Sequence, residues 1–183
     1  VITDFFTSGF FTQRYTAAVD AGGADASTWA VQVSSLSGRI RALSGRERTG
    51  NERREVDATH RFYCSYLTTI NERDRIGKTY GTAANISGAS GTSTITVTTS
   101  AAHGFLVNDR VRISSVAGMT NINNVYTILT VPLTTTFTIS QSTSQTYTSG
   151  GSVSKCYLWD IVFVDDPHLQ NEFMQMDCVP VQI

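Results

Sequence analysis

Between residues 81 and 154 the chain carries only three charged side chains, Asp109, Arg110 and Arg112, while Thr and Ser supply roughly a third of the residues. β-branched Thr, Val and Ile are stiff at χ1 and pack well on a pleated surface, so this stretch has almost no helix-forming composition. It predicts strands over Ser93–Thr99, Arg110–Ser115, Tyr126–Val131 and Thr135–Ser140, separated by turns at Ala102-His103-Gly104, Val107-Asn108-Asp109 and Ala117-Gly118. The segment therefore reads as a small all-β module, a barrel or sandwich. Its borders, Ser87-Gly88-Ala89-Ser90-Gly91 and Ser149-Gly150-Gly151-Ser152, read as hinges.

The flanks differ in composition and read as one domain interrupted by this module: residues 1–80 with 155–183 as one β-barrel domain, and 81–154 as the insert. Strands are expected at Phe11–Val19, Thr28–Leu36, Arg39–Leu43, Thr59–Thr68, Lys155–Val164 and Phe173–Val181. Alternation puts Phe62, Cys64 and Tyr66 on one face, and Tyr157, Trp159, Ile161 and Phe163 on another. A hairpin is expected near Arg75–Tyr80, its tip receiving the insert, with both ends of the insert close together. The fold class is all-β with little helix; the one short helix expected lies at Gly45–Glu55, interrupted by Gly50 and Asn51.

Charge is concentrated where the flanks are most polar. The chain is 16% charged, with a net charge of -1. Yet Ser37–Asp57 packs Arg39, Arg41, Arg46, Arg48, Arg53 and Arg54 among Glu47, Glu52, Glu55 and Asp57. Guanidinium and carboxylate match in geometry, so interleaved Arg and Glu favour paired contacts between surfaces. A phosphate-binding patch would lack the acids. The block reads as a contact between subunits or the lining of a channel. The near-zero net charge argues against a general nucleic-acid or membrane binder, and no apolar run is long enough to span a bilayer. The run Val1–Phe6 has no basic flank or cleavage site, so no signal peptide is expected.

Candidate chemistry is sparse. Cys64, Cys156 and Cys178 lie far apart without metal spacing and read as reduced, buried thiols of a cytoplasmic product. His60, His103 and His168 are scattered, and Asp165-Asp166-Pro167 reads as a turn rather than a cation site. No cofactor, metal or catalytic residue is expected, and the chain reads as non-enzymatic. Phe5, Phe6, Phe10 and Phe11, together with Val181 and Ile183 at the other end, are candidate docking contacts.

The flanking halves resemble a known family. Gln13-Arg14-Tyr15, Gly22-Gly23, Trp29, Gly38-Arg39-Ile40, Leu43-Ser44-Gly45-Arg46-Glu47, Thr59-His60-Arg61, Asp74-Arg75-Ile76, then Tyr157 and Ile161 with Val164-Asp165-Asp166-Pro167, occur in an order that resembles tailed-bacteriophage head-tail joining proteins, also called head-closure or stopper proteins. The resemblance implies a β-barrel virion protein, assembled in the host cytoplasm, that forms a ring of twelve copies in the neck. Its partners would be the portal-adaptor protein, the tail terminator or tail tube protein, and the double-stranded DNA passing through the channel. It also implies that Ser44–Asp57, with Arg46, Glu47, Arg48, Glu52, Arg53, Arg54 and Glu55, faces the lumen or the neighbouring subunit. The insert, with Ala102-His103-Gly104-Phe105, Asn108-Asp109-Arg110-Val111 and Thr136-Phe137, looks like a small β module found in phage structural proteins and similar to a sub-domain of ubiquitin-activating enzymes. Other neck or tail-completion proteins, and a decoration or carbohydrate-binding adhesion module, are the alternative readings.

Overall fold

The structure, a computed structural model, describes residues 6–19, 21–24, 27–43, 58–65, 69–165 and 173–182. Among the described residues lie eleven strands: β1 (Thr7–Thr16), β2 (Thr28–Ala42), β3 (His60–Ser65), β4 (Arg75–Ser90), β5 (Thr94–Thr99), β6 (Arg110–Ala117), β7 (Val125–Thr127), β8 (Thr130–Leu133), β9 (Thr136–Ser140), β10 (Ser149–Asp165) and β11 (Phe173–Pro180). A 3-10 turn at Thr120–Ile122 follows β6. The protein is all-β. No helix among the described residues is long and apolar enough to cross a membrane. The chain divides into two units, 1–78 with 158–182 and 79–157. The long strands β4 and β10 each begin in one unit and end in the other.

In the first unit the strand pairing closes on itself. β4 pairs with β1, β1 with β2, β2 with β3, β3 with β11 and β11 with β10, all antiparallel. β10 in turn pairs with β4. Arg73 N donates to Ile161 O at 3.2 Å and Ile161 N to Asp74 O at 2.9 Å, which places the closing seam at the start of β4. The result is a six-stranded barrel, and closure removes the exposed edges that an open sheet must protect. Phe10, Leu36, Phe62, Cys64, Ile76, Ile161, Met174, Met176 and Cys178 fill its interior. Two glycines admit the largest rings: a Cβ on Gly38 would collide with the ring of Phe62, and one on Gly77 with the ring of Phe11.

The second unit builds a separate core from Ile86, Ile95, Val97, Phe105, Val111, Ile113, Val116, Ile122, Ile128, Phe137, Ile139 and Val153. Its ladders are β7-β6-β10 and β4-β5-β9-β8. The two residues between β7 and β8 step from one ladder to the other. Ile128 N donates to Asp109 O beside β6 at 3.0 Å, and Leu129 N to Thr138 O in β9 at 2.9 Å. That step is why the single strand expected at Tyr126–Val131 is divided in two.

The strand pair expected near Arg75–Tyr80 is β4 with β10; the second unit is inserted between them, and the two ends of the insert lie together, Tyr80 stacking on Tyr157 with ring centroids 4.2 Å apart. Other expectations are corrected. The Gly/Ser borders are not hinges but parts of β4 and β10. Gly88 pairs with Thr98, Gly150 with Val116 and Ser152 with Ser114, so these residues are held in ladders. β2 is continuous from Thr28 to Ala42 where two strands were expected. Tyr157 does not share the inward face of Trp159 and Ile161: it is 54% exposed and stacks on Tyr80, ring centroids 4.2 Å apart. The short helix expected at Gly45–Glu55 falls outside the described residues, as does Tyr66.

Candidate functional site

The charged block begins on β2 and is taken up by β3. Phe62 and Cys64 point into the barrel, so the alternate positions Arg61 and Tyr63 point outward. On β2, Arg39 pairs with Tyr63 and Arg41 with Arg61. Two guanidinium groups directly opposite each other repel, and like-charged cross-strand pairs are destabilising. Asp177 on β11 offsets this. It faces Arg61 in register and takes two bonds from it, Nε to Oδ1 at 2.6 Å and Nη2 to Oδ2 at 3.3 Å. Asp177 is buried, and its hydrogen bonds raise the pKa of the Arg61 guanidinium, which therefore stays charged. The Arg41 guanidinium reaches the Tyr63 hydroxyl through Nε at 3.4 Å and Nη2 at 3.3 Å. Phe6, Arg39, Arg41 and Tyr63 together line a groove of about 260 Å3.

This face leads directly to the root of Ser44–Asp57. Leu43 N donates to Thr59 O at 2.9 Å and Thr59 N to Cys178 O at 3.1 Å, and Leu43 and Ala58 are both buried. The chain thus leaves the barrel and returns to it at adjacent, clasped points. Arg46, Glu47, Arg48, Glu52, Arg53, Arg54 and Glu55 lie outside the described residues, as do Phe5 and Ile183.

The remaining docking candidates divide. Phe6 is half-buried on the groove, and Val181 is half-buried with its N–H bonded to Leu158 O at 3.0 Å. Phe10 and Phe11 are corrected: both are wholly buried and belong to the packing of this unit, so neither is available to a neighbour. Through this stretch β1 keeps an unbroken register with β4, Phe10 opposite Lys78 and Phe11 opposite Gly77, and both faces of the strand are covered there. Phe10 packs on Phe62 at 4.8 Å, and Phe11 occupies the space above Gly77.

Other outward clusters escaped the sequence reading because their members lie far apart along the chain. Arg75 lies over the Trp29 ring at 3.7 Å and is bonded to Asp160 at 2.6 Å; Tyr15 packs on Trp29 at 5.2 Å. In the second unit Lys155 pairs with Asp109 at 2.7 Å beside the Tyr80–Tyr157 stack. Burial, followed by the hydrogen bond with Tyr157, pushes the Tyr80 hydroxyl up to about 12. The available signal was the alternation of large polar or aromatic residues with buried ones in β4 and β10.

Chemically, these arrangements suit pairing and packing. The three cysteines are free and buried. Burial pushes the Cys64 and Cys156 thiols up to about 12 and raises that of Cys178 as well, away from the thiolate a nucleophile requires. His60 Nδ1 lies 2.8 Å from Thr59 Oγ1, and His103 Nδ1 accepts from Phe105 N at 2.9 Å while the ring stacks on Phe105. Among the described residues, no group of three or more His, Cys, Asp or Glu is placed to hold a metal ion. His168 and Asp166 are outside the described residues.

Residues 90–156 match the family model of the FCCH domain of the ubiquitin-activating enzyme E1. The second unit is similar to an E1 FCCH domain. The match runs from the end of β4 to the middle of β10 and covers β5 to β9 entirely, leaving the six-stranded barrel unmatched. No curated protein matches the chain.

Proposed function

We propose that this chain is a non-enzymatic structural protein of a tailed-bacteriophage neck. Copies of it assemble into a ring that joins the portal-adaptor to the tail, extends the DNA channel and helps retain the packaged genome. The observation that carries this reading is the clasped root of Ser44–Asp57 on a closed barrel, beside an outward face bearing Arg39, Arg41, Arg61 and Tyr63. A closed barrel supplies a rigid wall, and a mixed Arg/Glu segment can meet complementary charge on the next copy around a ring. Alternating charge also avoids the strong phosphate adhesion that a purely basic lining would impose on moving DNA. The ordered motifs of the flanks, which resemble head-closure proteins, support the same reading. Twelve copies, a site in the virion neck and assembly in the host cytoplasm belong to the proposal.

Cryo-electron microscopy of virions carrying this chain tests it. The expected result is a ring between the portal-adaptor and the tail, with Ser44–Asp57 at the lumen or the subunit boundary. Density on the capsid surface or at the tail tip overturns the reading. A paired charge reversal, Arg53→Glu with Arg54→Glu, is expected to impair ring assembly or DNA retention. If both are unchanged, the role given to this segment is wrong.

A further inference from the structure

The second unit carries a groove of about 580 Å3, lined by Thr92, Ser93, Asn121 and residues 142–145. Every lining side chain is a hydroxyl or a carboxamide, and none is charged. The walls are held by bonds between segments distant in sequence. Thr143 N donates to Thr92 O at 2.8 Å and Gln141 N to Ser93 O at 3.3 Å. Asn121 braces the other side, its N donating to Gln145 Oε1 at 3.0 Å and its Nδ2 to Ser142 O at 3.2 Å. Gln145 N donates to Thr143 Oγ1 at 2.9 Å, and the Tyr126 hydroxyl reaches Asn121 O and Gln141 Oε1, both at 3.1 Å.

These braces leave other polar atoms to the solvent. Among the described residues, the hydroxyls of Thr92, Ser93, Ser142 and Ser144 and the Gln145 amide nitrogen make no hydrogen bond. Several neutral donors and acceptors on a braced backbone thus edge one open depression, whose size lies in the range of small-ligand sites. The lining narrows the ligand class. An anion would find no cation here, a metal ion no carboxylate or imidazole, and an apolar molecule no greasy wall. A neutral molecule dense in hydroxyls finds complementary partners, because amide and hydroxyl groups can both donate to and accept from a vicinal diol. Backbone bracing lowers the ordering cost of binding.

We propose that this groove binds a neutral saccharide. The site lies within the E1 FCCH-like unit and is independent of the ring reading, so either can fail without the other.

The test is two-dimensional amide NMR of the full chain, titrated to about 10 mM with maltohexaose or triacetylchitotriose and, separately, with oligogalacturonate as an acidic probe. The expected result is a saturable shift for a neutral probe, confined to the amides of Asn121 and residues 142–145. Ser144→Ile, which removes none of the bracing bonds but fills the groove, is expected to weaken that binding at least about tenfold. Gln145→Glu, which keeps the Oε1 acceptor for Asn121 N and removes only the amide nitrogen, is a second variant expected to weaken the binding. The proposal is overturned by no shift with either neutral probe, by shifts centred elsewhere, by preference for the acidic probe, or by binding that Ser144→Ile leaves unchanged.

Discussion

Arg14 and Asp74 form a two-pronged ion pair at the seam that closes the barrel, with Nε to Oδ1 at 3.0 Å and Nη2 to Oδ2 at 2.8 Å. Asp74 is buried and also accepts from Asn71 N at 2.9 Å, while Arg14 Nη2 donates to Thr69 O as well. The backbone of the same aspartate receives Ile161 N from β10. One carboxylate therefore fixes the guanidinium of β1 and the turn before β4, at the point where β10 completes the ring.

Asp74→Ala is expected to destabilise the first unit by about 2 kcal/mol. That figure lies below the usual range for a broken buried pair because the Arg14 side chain is 31% exposed. Urea unfolding of the single variants and of Arg14→Ala with Asp74→Ala is expected to show coupling. Strict additivity would mean that the pair does not hold the seam.

Gly77→Ala places a methyl group where the Phe11 ring lies, and overpacking of this kind costs about 1–3 kcal/mol. Shrinking the ring is expected to recover part of the loss. Thermal melting of Gly77→Ala with and without Phe11→Leu measures it, and an absence of rescue would place the strain elsewhere.

The side chain of Asn123 clasps a single residue from both sides, accepting from Val116 N at 2.8 Å and donating to Val116 O at 3.0 Å. Removing it leaves two partly buried backbone groups unpaired. Asn123→Ala is expected to lower the stability of the second unit by about 2 kcal/mol. The signal is early loss of amide protection at Val116 and its neighbours in hydrogen exchange.

Stability is expected to fall in alkali. Burial moves the Cys64 and Cys156 thiols from 9.0 to about 12, and the Tyr126 hydroxyl from 10.0 to about 12. The contribution of these groups is fully present below pH 9. Between pH 9 and 12 the unfolded chain releases protons that the fold retains, so the contribution is lost as pH rises. Melting temperatures at pH 8, 9.5 and 11 should decline, and the decline should be shallower in Cys64→Ala with Cys156→Ala. Equal slopes would remove the thiols as its source.

Much of the architecture was legible in the residues. The Thr/Ser-rich segment announced strands because its β-branched side chains and missing charges leave little else, and the alternation around Phe62 and Cys64 marked an inward face. The readings that failed depended on pairing partners, which local composition does not contain. Gly150 and Ser152 resemble punctuation until β6 lies beside them. Phe10 and Phe11 looked like a docking arm because a strand covered on only one face leaves every second ring exposed, whereas this one is covered on both, with the Phe11 ring lying over Gly77. The Arg61–Asp177 pair was hidden for a similar reason: its members come from β3 and β11 and meet only in the folded sheet.

The clasp of Leu43 to Thr59, and of Thr59 to Cys178, separates two kinds of evolutionary change. Upstream and downstream of it, a substitution must satisfy a barrel whose registers are already set. Between its jaws the described ladders demand only that the chain depart at Leu43 and return at Thr59, which is a condition on two junctions and leaves charge and length to other selection.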